Sequence, residues 1–218
     1  LPRPGGEGKP IRMSQPPAKE LPVYLATFAH STFWPWLKAE YGFEDDVVHA
    51  YTFSVVPFLT DENIVQQGYL SSEPFAIEKG GVKPNVFLLS DYGYPPYATT
   101  IETTTDMIKE RPDVVKRFVQ ASMEGWKSYL ESPAKGNELI MQENPEMTPE
   151  QLAYGLEKMK EYELVTSGDA QTKGIGVMTD ERWARIKNFM VEAGLASADL
   201  DMSDVYTLEF LPETPVLP

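Results

Sequence analysis

Gln66-Gln67-Gly68-Tyr69-Leu70-Ser71-Ser72-Glu73-Pro74-Phe75 decides how this chain is read. The pattern predicts a helix end, a glycine turn, a short strand, and a second helix opened by Pro74. Proline suits the first helical position because it has no N–H to leave unpaired and its φ is preset. Glu73 therefore falls near a strand-to-helix junction. In an open α/β sheet, ligands bind outside the carboxyl ends of the strands, at such junctions. Downstream, Asn85-Val86-Phe87-Leu88-Leu89 is an apolar run of strand length. Ser90 to Thr100 follows, where Gly93, Pro95 and Pro96 oppose helix and Tyr92, Tyr94 and Tyr97 offer flat faces.

Working outward toward the N-terminus, Val23 to Phe28 reads as a buried strand. Ser31 or Thr32 can cap a helix running to about Tyr41, with Gly42 as its stop. Such a strand–helix turn presents free N–H groups and the positive end of a helix dipole at the strand's tip. It would suit a carbonyl, a ring nitrogen or an anionic group. Two roles stay open here: Ser31 and Thr32 cap or touch a ligand, and Trp34 and Trp36 pack or stack. Val47 to Phe53 reads as a second strand, Thr60 to Gly68 as a short helix, and Tyr69 to Ser72 as a third strand. This alternation predicts an α/β fold with a parallel sheet and helices on its faces. From Val23 to Tyr97 the basic residues are Lys38, Lys79 and Lys83, with no arginine. Arginine forks are the usual recognition device for strong anions. Their absence beside so many rings favours a neutral or cationic planar ligand, although helix N-termini alone can hold an anion.

The chain has 218 residues and a formal net charge of −14. That length permits one or two domains with a real core. The charge argues against nucleic acid, whose phosphates require clustered Lys and Arg. There is no cysteine, which removes disulfides, thiolate nucleophiles and thiolate metal ligands. No apolar run approaches the ~20 residues of a membrane span, so the chain is not expected to be membrane-spanning.

Leu1 to Lys19 is rich in Pro and Gly and is expected as loop or linker. Beyond the Tyr94-Pro95-Pro96-Tyr97 segment, Ala98 to Thr103 is expected as a strand, and the rest is mainly helical. Asp113 to Leu130 carries a helical apolar stripe that includes Val115, Phe118, Met123 and Trp126. Pro133 to Glu143 gives another helix. Thr148-Pro149-Glu150-Gln151 opens a helix to about Glu163, and Thr179-Asp180-Glu181 one stopped by Gly194. Gly174-Ile175-Gly176 lacks the full dinucleotide pattern. Tyr206 to Phe210 is expected as a strand. The organisation expected is 1–22 linker or hinge crossing, 23–96 small α/β lobe, and 97–218 helix-rich part of the other lobe.

The stretch from Gln66 to Ile101 resembles the corresponding stretch of the NMT1/THI5-like solute-binding proteins of ABC-type uptake transporters. The likeness continues through Pro145-Glu146-Met147-Thr148, Lys158 to Tyr162, Ser167-Gly168-Asp169, Gly174-Ile175-Gly176, Met178-Thr179-Asp180 with Trp183, and Ala198 to Asp201. It covers roughly Val23 to Phe210. The resemblance implies a type II periplasmic-binding-protein-like fold whose two lobes close on a ligand about a hinge. It also implies that the first lobe is incomplete here, because family members normally begin with a βαβ portion absent from this sequence. The implied role is the substrate-binding component of an ABC uptake transporter, periplasmic or extracellular, with a lipid anchor in the full-length protein as one form. The implied partners are a transporter permease and a small heteroaromatic solute such as a thiamine-pyrimidine precursor.

The ligand-binding set expected from position and resemblance is Ser31, Thr32, Trp34, Tyr69, Glu73, Tyr94 and Tyr97. Glu73 could accept two hydrogen bonds side by side, as an aminopyrimidine edge offers. Its bland role is a charge favourable to the helix start. No catalytic residue, metal site or cofactor is expected. His30 and His49 form no defensible triad, and no HExxH pattern exists. Two alternatives remain. One is a pyrimidine-precursor synthase of the yeast type, disfavoured because its cysteine-rich motif cannot be present. The other is a binder of a sulfonate- or nitrate-like anion.

Overall fold

The computed structural model describes residues 20–218. The expected linker at 1–22 lies, up to Lys19, outside the described residues. The chain divides into two compact units. One holds the described residues through Pro95 together with Lys187–Ser197; the other holds Pro96–Ile186 and Ala198–Pro218.

The first unit is α/β. Strand β1 (Val23–Leu25) leads through a 3-10 turn at Thr27–Ser31 into helix α1 (Phe33–Tyr41). Strand β2 (Val48–Ala50), helix α2 (Val56–Thr60), strand β3 (Val65–Gln66) and helix α3 (Glu73–Lys79) follow. The strands form a parallel sheet in the order β2-β1-β3. Val23 lies opposite both Val48 and Val65, which sets three β-branched residues side by side on the pleat. Gly42 ends α1 at φ 68, a left-handed conformation that glycine enters without steric cost.

Alternation along β1 builds a core on each face of the sheet. Val23 and Leu25 pack with Ala29, Trp34, Trp36, Leu37, Phe43 and Phe189. On the other face, Phe58 of α2, Ile64 and Ile77 of α3 are buried with Tyr24 against them. Each fully buried large apolar side chain contributes roughly 1.5–3 kcal/mol, so helices on both faces are needed to shield so short a sheet.

Several expected elements differ. The helix expected at Thr60 to Gly68 is displaced. It begins at Val56, because Pro57 fits a first turn. It stops at Asp61, which is extended (φ −128, ψ 123) and whose carboxylate accepts from the Asn63 N–H at 2.8 Å. That Asx turn releases Val65–Gln66 to become the third strand. Tyr69 to Ser72 is accordingly a turn, closed by the Ser72 N–H donating to the Tyr69 carbonyl at 2.9 Å. Asn85 to Leu89 forms no strand. Its Phe87 and Leu89 pack on the first core, and the chain curls into a 3-10 turn at Leu89–Tyr92.

The second unit is helical: α4 (Thr105–Glu110), α5 (Pro112–Glu131), α6 (Ala134–Glu143), α7 (Pro149–Glu161), α8 (Ala170–Lys173) and the first part of α9 (Asp180–Glu192). Thr148 caps α7, accepting from the Gln151 N–H at 3.2 Å. The strands expected at Ala98 to Thr103 and Tyr206 to Phe210 are irregular instead. Neither has a neighbouring strand to satisfy its ladder groups. The expected region 97–218 also loses a piece: Lys187–Ser197 belongs with the first unit, where Phe189, Met190 and Leu195 pack on the tryptophan core.

Candidate functional site at the carboxyl ends of the strands

All three strands of the first unit point the same way, so their carboxyl ends gather at one edge. The backbone there is tied across the sheet. The Tyr51 N–H donates to the Leu25 carbonyl at 2.9 Å, and the Gln67 N–H to the Tyr24 carbonyl at 3.0 Å. The Gln67 side-chain oxygen accepts from the Ala26 N–H at 2.7 Å. Three residues past each strand stands an exposed ring: Phe28, Phe53 and Tyr69, exposed by 43%, 72% and 57%. Phe53 holds φ 61, a conformation few non-glycine residues adopt and one concentrated at functional sites. Its ring leans on Tyr51, with centroids 5.2 Å apart.

Glu73 lies among these loops. One carboxylate oxygen accepts from the Tyr51 hydroxyl at 3.0 Å, the other from the Tyr69 N–H at 2.7 Å. Tyr51 is buried. Burial, and then the Glu73 charge, hold its phenol well above the usual tyrosine range.

The other expected residues are placed as follows. Ser31 is exposed and its hydroxyl donates to the Phe28 carbonyl at 3.2 Å. Thr32 occupies the N-cap position of α1 but makes no cap bond. Its hydroxyl turns back to the Phe28 carbonyl at 2.9 Å, so the expected capping role passes to neither residue. Trp34 is 2% exposed, packs edge-on against Phe43, and donates from Nε1 to Asp45 at 2.8 Å. Tyr94 packs between Trp36 and Phe189, and burial pushes its phenol up to about 12. Tyr97 belongs to the second unit. There its hydroxyl accepts from the Thr179 N–H at 3.0 Å, and the Arg182 guanidinium lies 4.1 Å from its ring centroid. The strand-end edge thus brings Tyr69 and Glu73 together, while Trp34 and Tyr94 serve the core of the same unit.

Phe28, Tyr51 and Phe53 are absent from the expected set. Reading Val47 to Phe53 as one strand hid the last two. The available signal was position, because an aromatic just beyond a parallel strand lands on the ligand-binding edge.

A separate open cleft of about 680 Å³ is lined by His30, Trp34, Lys38, Asp45 and Glu192 among others. Asp45 accepts from Lys38 at 2.6 Å as well as from Trp34, and these two bonds hold its carboxyl below the usual range. Lys38 and Asp45 thus satisfy one another. Among the described residues no group of three His, Asp or Glu side chains is arranged to hold a metal, and no helix is long and apolar enough to cross a membrane.

Over 155 residues the chain is 30% identical to the riboflavin-binding protein RibY of Chloroflexus aurantiacus. That match takes in 71% of this chain and 44% of the relative, so the chain spans less than half of its length. Residues 36–136, which run from within α1 through the strand-end loops into α6, match the family described as NMT1/THI5 like. Over that span this chain is similar to the NMT1/THI5-like family.

Proposed function

We propose that this chain belongs to a solute-binding protein and holds a planar heteroaromatic solute against the ring-bearing loops at the carboxyl ends of β1, β2 and β3. The observation that carries this reading is the trio Phe28, Phe53 and Tyr69, left exposed at one sheet edge with Phe53 in a left-handed conformation. Folding alone gives no reason to spend three rings and a strained backbone there. Aromatic faces stack on flat heterocycles.

A large neutral ring system of the flavin type fits better than a small aminopyrimidine. Both Glu73 oxygens already accept a protein donor, which weakens the case for a bidentate aminopyrimidine contact. The relative that binds riboflavin supports the same choice. The lack of arginine from Val23 to Tyr97 argues against a sulfonate or nitrate. Trapping a solute without chemistry suits a protein that hands its cargo to an ABC-type permease, outside the cytoplasmic membrane.

The test is a titration of riboflavin followed by quenching of flavin fluorescence, beside calorimetric titrations of the thiamine aminopyrimidine and an alkanesulfonate. Saturable quenching is expected, with affinity about tenfold weaker in Phe53→Ala, since loss of one stacking ring costs about 1–3 kcal/mol. Riboflavin affinity equal in Phe53→Ala, Tyr69→Ala and the parent would overturn the placement. Saturable binding of the sulfonate alone would overturn the ligand class.

A further inference from the structure

The two ring-bearing outer loops are joined by one side chain. Tyr51 follows β2, Tyr69 follows β3, and β1 lies between those strands. Glu73 receives the hydroxyl of the first and the backbone N–H of the second, on different oxygens. Its carboxylate therefore spans the end of the central strand. Gly68 makes room for this reach. A Cβ on Gly68 would stand 3.0 Å from the Glu73 Cβ and 3.2 Å from its Cγ and Cδ, closer than ordinary contact permits.

We infer that Glu73 is a positioning residue: it ties the β2 loop to the β3 loop and so fixes the spacing of Phe53 and Tyr69, rather than accepting hydrogen bonds from the ligand itself. The inference rests on the strand-end site proposed above and assigns a role within it. Three observations converge on it. The Tyr69 bond is short and charge-assisted. Tyr51 is buried beneath Phe53's ring, so its hydroxyl has few other partners to choose from. Tyr69 is 57% exposed, so its own ring does little to hold the loop, and its N–H is held by the carboxylate.

Glutamine separates the two roles. Its amide oxygen can accept from the Tyr69 N–H while its NH2 donates to the Tyr51 oxygen, which preserves the tie without the charge. A ligand offering two donors to a carboxylate would find only one acceptor. The experiment compares the parent, Glu73→Gln, Glu73→Ala and Gly68→Ala by two measurements: amide hydrogen exchange at Tyr69 and the riboflavin titration. Glu73→Ala is expected to lower Tyr69 amide protection by at least about tenfold, what loss of one charge-assisted hydrogen bond gives. Riboflavin affinity is expected to fall at least about fivefold in Glu73→Ala and Gly68→Ala, and by no more than about twofold in Glu73→Gln. Equal loss of affinity in Glu73→Gln and Glu73→Ala, with Tyr69 still protected in Glu73→Gln, would overturn the inference and make Glu73 a direct ligand contact. Unchanged Tyr69 protection in Glu73→Ala would overturn the tie itself. A parent that binds no riboflavin would sink the functional reading instead, and the exchange measurement would still decide whether the tie exists.

Discussion

Replacing Phe53 by glycine and by alanine separates the cost of its backbone from the use of its ring. Phe53 sits at φ 61 with 72% of its surface exposed. An L-residue in the left-handed region carries about 1–2 kcal/mol of steric cost. Alanine keeps that cost and glycine removes it. Glycine in turn loses about 0.5–1 kcal/mol more conformational freedom on folding. Both variants lose the ring contact with Tyr51, so that contribution cancels between them. The glycine variant is therefore expected to be the more stable of the pair by about 0.75 kcal/mol, the difference between the midpoints of those two ranges. At an ordinary strand or helix position the order is the reverse.

Urea unfolding followed by tryptophan fluorescence reads this comparison through buried Trp34 and Trp36, which share the unit with Phe53. With a slope of about 2 kcal/mol per molar, the glycine midpoint should lie about 0.4 M above that of alanine. In the riboflavin titration the two variants should be equally impaired, because both lack the ring. An alanine midpoint equal to or above glycine's would refute the left-handed backbone at position 53. Equal stabilities combined with unimpaired binding would refute both halves of the reasoning.

Three further outcomes are expected. Phe58→Ala, at a site 0% exposed between α2 and α3, should destabilise the first unit by about 3–5 kcal/mol, and a loss under about 1 kcal/mol in urea would show that this core is not closed. Thr148→Ala removes the acceptor for the Gln151 N–H and should cost about 1 kcal/mol, visible as lowered amide protection in the first turn of α7; protection equal to the parent's would disprove the cap. Tyr94 stays protonated up to about pH 12 when folded, against an ordinary value of 10.0, so the unfolded chain releases that proton first and its stabilisation, complete below pH 10, drains away as pH rises toward 12. The urea midpoint of the parent should thus fall more steeply between pH 10 and pH 12 than that of Tyr94→Phe, and parallel slopes would mean the phenol is not shielded.

What was legible in the sequence and what was not follow a physical division. The α/β order of the first unit, the helix closed by Gly42, and the starts at Pro74, Pro112, Thr148 and Asp180 rest on local chemistry, in which proline, glycine and capping side chains act on their own neighbours. Strands depend on partners. Val65–Gln66 pairs because Pro22 and Tyr24 offer carbonyls to the Val65 and Gln67 amides respectively, whereas the more apolar Asn85 to Leu89 run forms no such ladder and packs as irregular chain. Composition ranks those two stretches in the wrong order, because a ladder is a property of two segments and a propensity of one. The same limit applies to the rings. Trp34 and Tyr94 read as stacking platforms but serve the core. Phe53 reads as the end of a strand but stands exposed, since the strand stops at Ala50.

The carboxyl edge of the sheet also explains why a glutamate there need not face a ligand to matter to one. The strands are two or three residues long, so few ladder bonds hold their ends in register, and the loops beyond them carry rings that solvent alone would leave free to move. A binding surface made of such loops loses affinity to the entropy of ordering them when ligand arrives. A carboxylate joining the outer two loops removes part of that cost beforehand. Glycine at position 68 then has a specific reason to be there, since any Cβ would push against the joining side chain. Preorganisation of this kind predicts that damage to the tie slows ligand association less than it speeds release, because the rings still meet the ligand but no longer hold together around it. Stopped-flow traces of riboflavin with Glu73→Ala should therefore show the loss mainly in the dissociation rate. A loss confined to association would mean instead that the carboxylate acts before contact, through the field it casts over the approach.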